Sequence, residues 1–237
     1  MKKIKNLAQL DKAVVACTLC PRLVEWREEV AITKRKSYEN EKYWGKPIPG
    51  FGPSDAEIVI IGLAPGAHGA NRTGRIFTGD SSGDWLYRAL HKAGLAKIPT
   101  STSKNDGQEL INTRILCAVR CAPPDNKPSN EEKSTCAPFM HRELELLLPT
   151  MNSIIVLGNF AFTALIPQLR VLGFEIPNPV PKFGHGHKFT ALSPEGKKVV
   201  IVSSYHPSQQ NTFTGKLTEK MLDRVILTAT RGSKRAQ

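Results

Sequence analysis

Four cysteines are spaced as ligands of one metal centre. Cys17 and Cys20 are separated by two residues, and Cys121 and Cys136 follow about a hundred residues later. A C-x2-C pair presents two thiolates from a single turn, and two more from a distant loop would complete four-fold coordination. The spacing leaves zinc, an iron–sulfur cluster and merely buried thiols all open. Since four thiolates leave no ligand position for a substrate, either metal would be structural.

The fifth cysteine, Cys117, lies four residues before Cys121 inside a predicted strand, and we interpret it as a small buried hydrophobe. The N-terminal lysines and residues 14–17 resemble a lipoprotein signal, but polar residues at positions 9–12 interrupt the apolar stretch that a signal needs. We therefore expect a cytoplasmic, nucleoid-associated protein. In that setting cysteines serve metal binding or reactive thiols rather than disulfides.

Asp80 and His206 are the polar side chains best placed for catalysis. Asp80 ends a Gly-rich loop over residues 63–80, and His206 lies in the turn Tyr205-His-Pro-Ser208. Each has a structural alternative, since Asp80 could cap the next helix and His206 could pack its own turn. Phe77 taken alone is more often a core residue than a stacking surface. The loop carries neither GxGxxG nor Gly-Lys-Ser/Thr, which argues against a nucleotide cofactor.

Alternating helices and strands position these side chains. Short apolar runs at residues 57–62, 111–119 and 153–157 predict buried strands of a parallel sheet, and residues 188–192 and 198–204 flank a hairpin at Ser193. Helices are predicted over residues 7–16, 21–32, 82–93 with Ser82 as its cap, 129–148 behind a capping box, from 159, and 217–230. Ligands of open α/β sheets bind beyond the carboxyl ends of the strands, where the candidate loops should meet.

The charge of the chain favours a polyanionic partner. Its formal net charge is +12 and its pI is near 9.6, although a basic enzyme with a small substrate would look the same. No apolar run reaches the roughly 20 residues that span a bilayer. With 237 residues and no linker, the chain is predicted to form a single domain over residues 1–237. Its basic tail, residues 231–237, is predicted to be flexible.

Several of these segments together resemble the uracil-DNA glycosylase superfamily, and more narrowly its family five, the type-B enzymes. The resemblance covers most of the chain. The motifs that carry it are Gly62-Leu-Ala-Pro-Gly66, Asn71-Arg-Thr-Gly-Arg-Ile-Phe-Thr-Gly-Asp80, Val119-Arg-Cys-Ala-Pro-Pro-Asp-Asn-Lys-Pro128, Tyr205-His-Pro-Ser208, Asn211 and Thr214-Gly-Lys-Leu-Thr218.

That resemblance implies a fold, a cofactor and an activity. The fold is a three-layer α/β/α sandwich around a four-stranded, mostly parallel sheet, to which the Ser193 hairpin would add. The cofactor is a structural 4Fe–4S cluster held by Cys17, Cys20, Cys121 and Cys136. The activity is hydrolysis of the N-glycosidic bond of uracil, and of other deaminated bases such as hypoxanthine, in double-stranded and single-stranded DNA, by a monomer that leaves an abasic site.

Two departures from better-known relatives bear on mechanism. Other families carry a catalytic polar residue where this chain has Leu63 or Ala64; family five lacks it too, so the water-positioning group must come from elsewhere. After His206-Pro-Ser208, relatives often have Pro-Leu, whose leucine wedges into the duplex. This chain has Gln209-Gln210 instead, which leaves the identity of the wedge open.

The resemblance also suggests roles for the candidate residues. Phe77 would stack on the flipped base, Asn126 would bond to its edge, and His206 would donate toward the carbonyl oxygen that gains charge. Asp80 would hold the attacking water or balance the sugar cation. Glycine and alanine would let the backbone approach the base at Gly62, Ala64 and Gly66. The DNA-binding loop that fills the vacated space would comprise Ser208, Gln209, Gln210 and Asn211.

Two other classes of protein fit parts of this pattern. An iron–sulfur nucleic-acid-binding protein without catalysis would share the charge, the cluster and the fold, but would not need Asp80, Asn126 and His206 together. A zinc-bearing hydrolase of a small nucleotide would share the cysteines. Incubating the protein with uracil-containing DNA and then cleaving abasic sites with alkali distinguishes a glycosylase from the first alternative. A brown colour with absorbance near about 400 nm excludes the second.

Overall fold

The computed structural model describes the backbone of residues 3–234 and the side chains of residues 3–231. Its helices are α1 (Leu7–Val15), α2 (Pro21–Thr33), α3 (Ala70–Thr73), α4 (Ser81–Lys92), α5 (Asn130–Leu147), α6 (Asn159–Val171), α7 (Gln209–Phe213) and α8 (Glu219–Lys234). Its strands are β1 (Ile58–Gly62), β2 (Thr113–Cys117), β3 (Ser153–Leu157), β4 (Lys188–Leu192) and β5 (Lys198–Ser204). Short 3-10 turns cover Lys36–Tyr38 and Pro124–Asn126.

Within the described part of the chain, five strands form one sheet in the order β2-β1-β3-β5-β4. β2, β1, β3 and β5 are mutually parallel, whereas β4 pairs antiparallel with β5 at the edge. The predicted α/β class with a mostly parallel sheet is therefore confirmed. The strand count is five rather than four because the first arm of the Ser193 hairpin joins the sheet as β4.

Helices cover both faces of the sheet because side chains alternate between the faces along each strand. In β1, Val59 and Ile61 pack into one core with residues of α1, α5 and α6, while Ile58 and Ile60 pack into a second core with residues of α4 and α8. β1, β2 and β3 are buried along their whole length, which explains the apolar runs of the central strands β1 and β3. The predicted three-layer arrangement follows from these two cores.

Helix starts agree with the sequence at one capping site and differ at another. The capping box of α5 is formed, because Ser129 Oγ accepts from Glu132 N at 3.1 Å and Glu132 Oε2 accepts from Ser129 N at 2.7 Å. For α4 we predicted Ser82 as the cap, and this was wrong. The N-cap is Asp80, whose Oδ1 accepts a hydrogen bond from Gly83 N at 3.0 Å. The Asp80 carboxylate lies one position before the helix and so reaches the free N–H groups of its first turn.

The last helix is placed later than predicted, since α8 extends from Glu219 to Lys234. The tail predicted over residues 231–237 thus overlaps its last turn, and residues 235–237 lie outside the described residues. None of the helices described between residues 3 and 234 combines the length and the apolar composition that a membrane crossing requires.

Candidate active site

The carboxyl ends of β1, β3 and β5 bring the predicted catalytic loops together. Phe77, from the loop after β1, stacks on His206, from the turn after β5, with ring centroids 5.7 Å apart and an interplanar angle of 29°. Gly158, directly after β3, faces the same imidazole, since a Cβ at Gly158 would lie 3.4 Å from His206 Cβ. Residues more than a hundred positions apart therefore meet at one edge of the sheet, as expected for an open α/β fold.

Phe77 is held in an unusual conformation. Its side chain is buried, and its φ of +50° lies in the left-handed region that non-glycine residues rarely occupy. Gly62 makes room for the ring, because a Cβ at Gly62 would lie 2.9 Å from the nearest ring carbon. A base that reached Phe77 would therefore also meet the imidazole of His206.

His206 is a neutral donor held by a braced turn. The imidazole is half-buried, and this burial lowers its pKa from 6.5 to about 4, so the ring carries no charge at physiological pH. Asn211 fixes the turn, because its Nδ2 donates to the backbone carbonyl of His206 at 2.8 Å. The amide that we predicted to contact DNA is thus engaged in positioning His206.

Asp80 caps α4 and at the same time faces the Gly-rich loop. While Oδ1 accepts from Gly83, Oδ2 lies so close to Gly66 and Gly69 that an added Cβ would stand 3.0 Å and 1.9 Å from it. The glycines at these positions permit a carboxylate to approach the loop backbone. Burial raises the pKa of Asp80. Asp80 therefore does cap the helix, and its second carboxylate oxygen, Oδ2, still points at the loop.

The remaining predicted pocket residues lie nearer the protein surface than Phe77. Asn126 is exposed at the end of the 3-10 turn, and both it and Asp125 have positive φ, +56° and +52°. Ala64 is half-buried and apolar, as is Leu63. The loops after β1 and β2 continue side by side past the strand ends, because Ala118 N donates to Gly62 O and Val119 N to Leu63 O. The chain therefore leaves β2 beside the Gly-rich loop, and Asn126 follows seven residues after Val119.

The predicted DNA-binding loop is largely the short helix α7. Gln209 and Gln210 are exposed in its first turn, and Ser208 is its N-cap residue. The sequence analysis did not single out Phe213, at the end of α7, whose side chain is 79% exposed. An isolated aromatic in the polar run Gln209-Gln-Asn-Thr-Phe-Thr-Gly215 was the signal that could have identified it.

A second site is a cavity bordered by the four predicted ligand cysteines, Cys17, Cys20, Cys121 and Cys136. The side chains of Arg27 and Arg120 line the same cavity. Cys117, which we did not predict as a ligand, is buried in the core on the opposite face of the sheet. The structure thus brings together the four predicted cysteines and separates the fifth from them.

Hydrogen-bond donors are directed at two of the cysteines that border this cavity. Arg27 Nη1 donates to Cys121 Sγ at 3.0 Å, and Arg120 N donates to Cys136 Sγ at 3.3 Å. Hydrogen bonds of this kind to sulfur are found around iron–sulfur clusters. Between residues 3 and 234, no group of three or more His, Cys, Asp or Glu side chains has the spacing to hold a single metal ion.

Comparison with known proteins places these features in a family. A model of the uracil DNA glycosylase superfamily matches residues 49–229. The chain is similar to the type-5 uracil-DNA glycosylase of Mycobacterium tuberculosis, at 46% identity over 221 residues that cover 93% of this chain and 80% of that protein. With the type-5 enzyme of Thermus thermophilus it shares 44% over 220 residues, covering 93% and 95% of the two chains. The type-4 uracil-DNA glycosylase of Archaeoglobus fulgidus is 32% identical over 162 residues, covering 68% and 70%.

Proposed function

Since the chain belongs to the uracil DNA glycosylase superfamily and to its type-5 enzymes, we propose that it removes uracil from DNA and leaves an abasic site. It is a hydrolase of N-glycosyl bonds. The observation that carries the proposal is the contact between Phe77 and His206 beside the loop that Asp80 ends. An aromatic surface, a neutral N–H donor and a carboxylate at one sheet edge are what excision of a flipped base requires.

The chemistry must stabilise two opposite charges that develop together. As the N-glycosidic bond lengthens, the sugar becomes positive and the departing base becomes negative on its carbonyl oxygen. The neutral imidazole of His206 keeps one N–H, which can donate a hydrogen bond to that oxygen. Asp80 can balance the sugar cation or orient the attacking water, a role that the apolar side chains of Leu63 and Ala64 cannot fill.

Base recognition needs polar contacts at the entrance to this pocket. The exposed amide of Asn126 can donate to or accept from the edge of the base. Its turn follows the segment of residues 118–119, which is hydrogen-bonded to the start of the Gly-rich loop. Gly62 and Gly66 let Phe77 and Asp80 approach the backbone of the Gly-rich loop closely.

Phe213 is the side chain best suited to fill the gap that a flipped nucleotide leaves. Its ring is exposed on α7, whose turn is tied to His206 by Asn211. The segment is anchored at its far end as well, since Leu217 is buried and its N–H donates to Asn211 O at 2.9 Å. A rigid, projecting apolar side chain can insert between base pairs and hold them apart. The positive net charge of the chain favours the phosphate contacts that would bring Phe213 to the duplex.

Replacing Phe213 by alanine should slow excision from duplex DNA about tenfold and hardly affect single-stranded DNA. An unpaired base needs no wedge, whereas a paired base must be unstacked at a cost of a few kcal/mol. Excision rates on both substrates, at one salt concentration, measure the effect. Gln210→Ala tests the rival assignment, since Gln210 is exposed on the same helix and was predicted to fill the vacated space; a smaller loss from Gln210→Ala than from Phe213→Ala is expected. An equal loss on both substrates would contradict the wedge assignment.

The cavity is proposed to hold a 4Fe–4S cluster on Cys17, Cys20, Cys121 and Cys136. When bound, the cluster supplies a covalent link between the N-terminal helices and the loop after β2. With all ligand positions taken by cysteine, it supplies no site for substrate. Support comes from the four thiols around one cavity and from the N–H groups directed at two of them.

Cys121→Ala should bleach the protein and lower its free energy of unfolding by several kcal/mol, because ligation energy of a metal group is also folding energy. Cys117→Ala should keep the colour, since Cys117 lies in the opposite core. Iron and sulfide content, absorbance near about 400 nm and melting temperature measure these effects. If protein purified without air contains zinc and no iron, the cluster assignment is contradicted.

The function is tested by incubating the protein with uracil-containing DNA and cleaving the abasic sites with alkali. We further propose that the protein acts as a monomer on double- and single-stranded DNA of the nucleoid, and that it accepts hypoxanthine. The last point rests on the resemblance to family five. Binding without strand cleavage would favour a nucleic-acid-binding protein that lacks catalysis.

A further inference from the structure

Two arginines at the cysteine cavity are buried, and some of their side-chain N–H groups have no hydrogen-bond partner. Arg27 is 3% exposed and Arg120 is 2% exposed, and both line the cavity. Among the described residues, Arg27 Nε and both Nε and Nη1 of Arg120 have no hydrogen-bond partner. Buried donors are nearly always satisfied, so three such atoms at one cavity indicate an acceptor that belongs there.

The positive charge at the cavity is also incompletely balanced. Arg120 Nη2 bonds to Glu143 Oε2 at 2.5 Å. Arg114, which holds the other oxygen at 2.6 Å, is itself paired with Asp11 at 2.9 Å. The charge of Arg120 is therefore balanced, and what it lacks is acceptors for Nε and Nη1. Arg27 has only the exposed Glu28, at 3.6 Å. A buried charge is costly unless it is paired. The partner of Arg27 should therefore be an anion inside the cavity.

We propose that Arg27 supplies counter-charge and Arg120 supplies hydrogen-bond donors to the iron–sulfur cluster, and that both control its redox stability. The inference rests on the cluster proposed above. A cluster with four cysteinate ligands is a net anion, and positive charge and N–H···S hydrogen bonds near it favour its more reduced form. Arg27 already donates to Cys121 Sγ, so its charge and its hydrogen bond act on a ligand directly.

Arg27 is the better residue to change, because Arg120 also neutralises the buried Glu143. The side chain of Arg27 can be replaced without breaking the contact of its helix with the catalytic loop. That contact uses the backbone, since Asn71 Nδ2 donates to Arg27 O at 3.1 Å. A variant at this position therefore perturbs the cavity and spares the link to α3.

The test compares full-length wild type with Arg27→Gln, Arg27→Met and Arg27→Lys, purified without air. The neutral variants should have a more negative reduction potential and should lose absorbance near about 400 nm several-fold faster in air, because the oxidised forms are favoured. Arg27→Met keeps the aliphatic stem in case glutamine does not fold. Arg27→Lys should shift the potential in the same direction but by less, since it keeps the charge and loses the forked donor.

Arg35→Gln is the control, since Arg35 follows α2 in the chain, carries the same charge and is exposed. Its potential and bleaching rate should match wild type, because exposed charge is screened by solvent. If every folded Arg27 variant has the reduction potential and the bleaching rate of wild type, the inference is overturned. The cluster and uracil excision would still stand. Wild-type protein that excises uracil but contains no iron would overturn both the inference and the cluster, and leave the proposed function intact.

Discussion

Replacing His206 by alanine is expected to slow uracil excision in a single turnover about 10²–10³-fold, the usual loss for one group that stabilises transition-state charge. DNA binding should change little, because the imidazole contacts only the flipped base and not the phosphates. The expectation rests on the position of His206 against Phe77 and on its lowered pKa. Rates with enzyme in excess over DNA, together with the dissociation constant for uncleaved DNA, measure the two effects separately.

Three companion variants distinguish catalysis from packing. His206→Gln keeps an N–H donor and should retain more activity than His206→Ala. His91→Ala removes an exposed histidine on α4 and should leave the rate unchanged. Phe77→Ala should weaken capture of the base. If His206→Ala mainly lowers the melting temperature, while the folded fraction excises uracil at the wild-type rate, His206 only packs its turn.

The pH dependence of the His206 effect has a definite sign. The folded pKa of about 4 lies below the ordinary value of 6.5, so between these pH values the unfolded chain binds more protons than the folded chain. Stability from this group is therefore present above pH 6.5 and is lost as the pH falls toward 4. The melting temperature of His206→Ala should depend less on pH in that window. The excision rate of wild type should show no loss near pH 6.5 from protonation of His206.

Much of the framework could be predicted because its signals are local. The run Ser153–Leu157 is entirely apolar after its first residue and became β3 at the predicted bounds. The spacing of Ser129 and Glu132 predicted the start of α5 correctly. The meeting of the loops bearing Phe77 and His206 followed from the rule for parallel sheets. The short helices α3 and α7 could not be predicted, since four or five residues carry no helical period.

Other parts of the site depend on tertiary contacts that composition cannot reveal. Arginine is seldom buried, so nothing in the sequence indicated that Arg27 and Arg120 line the cysteine cavity. The exposure of Phe213 and the contact of Asn211 with the His206 carbonyl depend on how α7 is anchored. The choice between Asp80 and Ser82 as cap was also open, because both residue types are common at that position.

Asp80→Asn is expected to lower the single-turnover rate about 10²–10³-fold at an almost unchanged melting temperature. Asparagine caps helices as well as aspartate does, so the bond from Gly83 N should survive and only the negative charge is lost. Because burial raises the pKa of Asp80, its carboxylate should titrate above the ordinary range of aspartate. The wild-type rate should therefore fall on acidification through that raised pKa, and Asp80→Asn should lack this acid limb.

Asp80→Ser and Asp80→Ala complete the series that separates the charge of Asp80 from its cap. Serine also caps, so Asp80→Ser should be as stable as Asp80→Asn and as slow, whereas Asp80→Ala should in addition lose about 1 kcal/mol of stability with the cap. Asp55→Asn serves as the charge control, since Asp55 is exposed and precedes β1, at the end of the sheet away from the site. Wild-type rates per folded molecule in both the asparagine and the serine variants would mean that Asp80 is only a cap. The water-activating group would then have to be sought among the exposed side chains of the Asn126 turn.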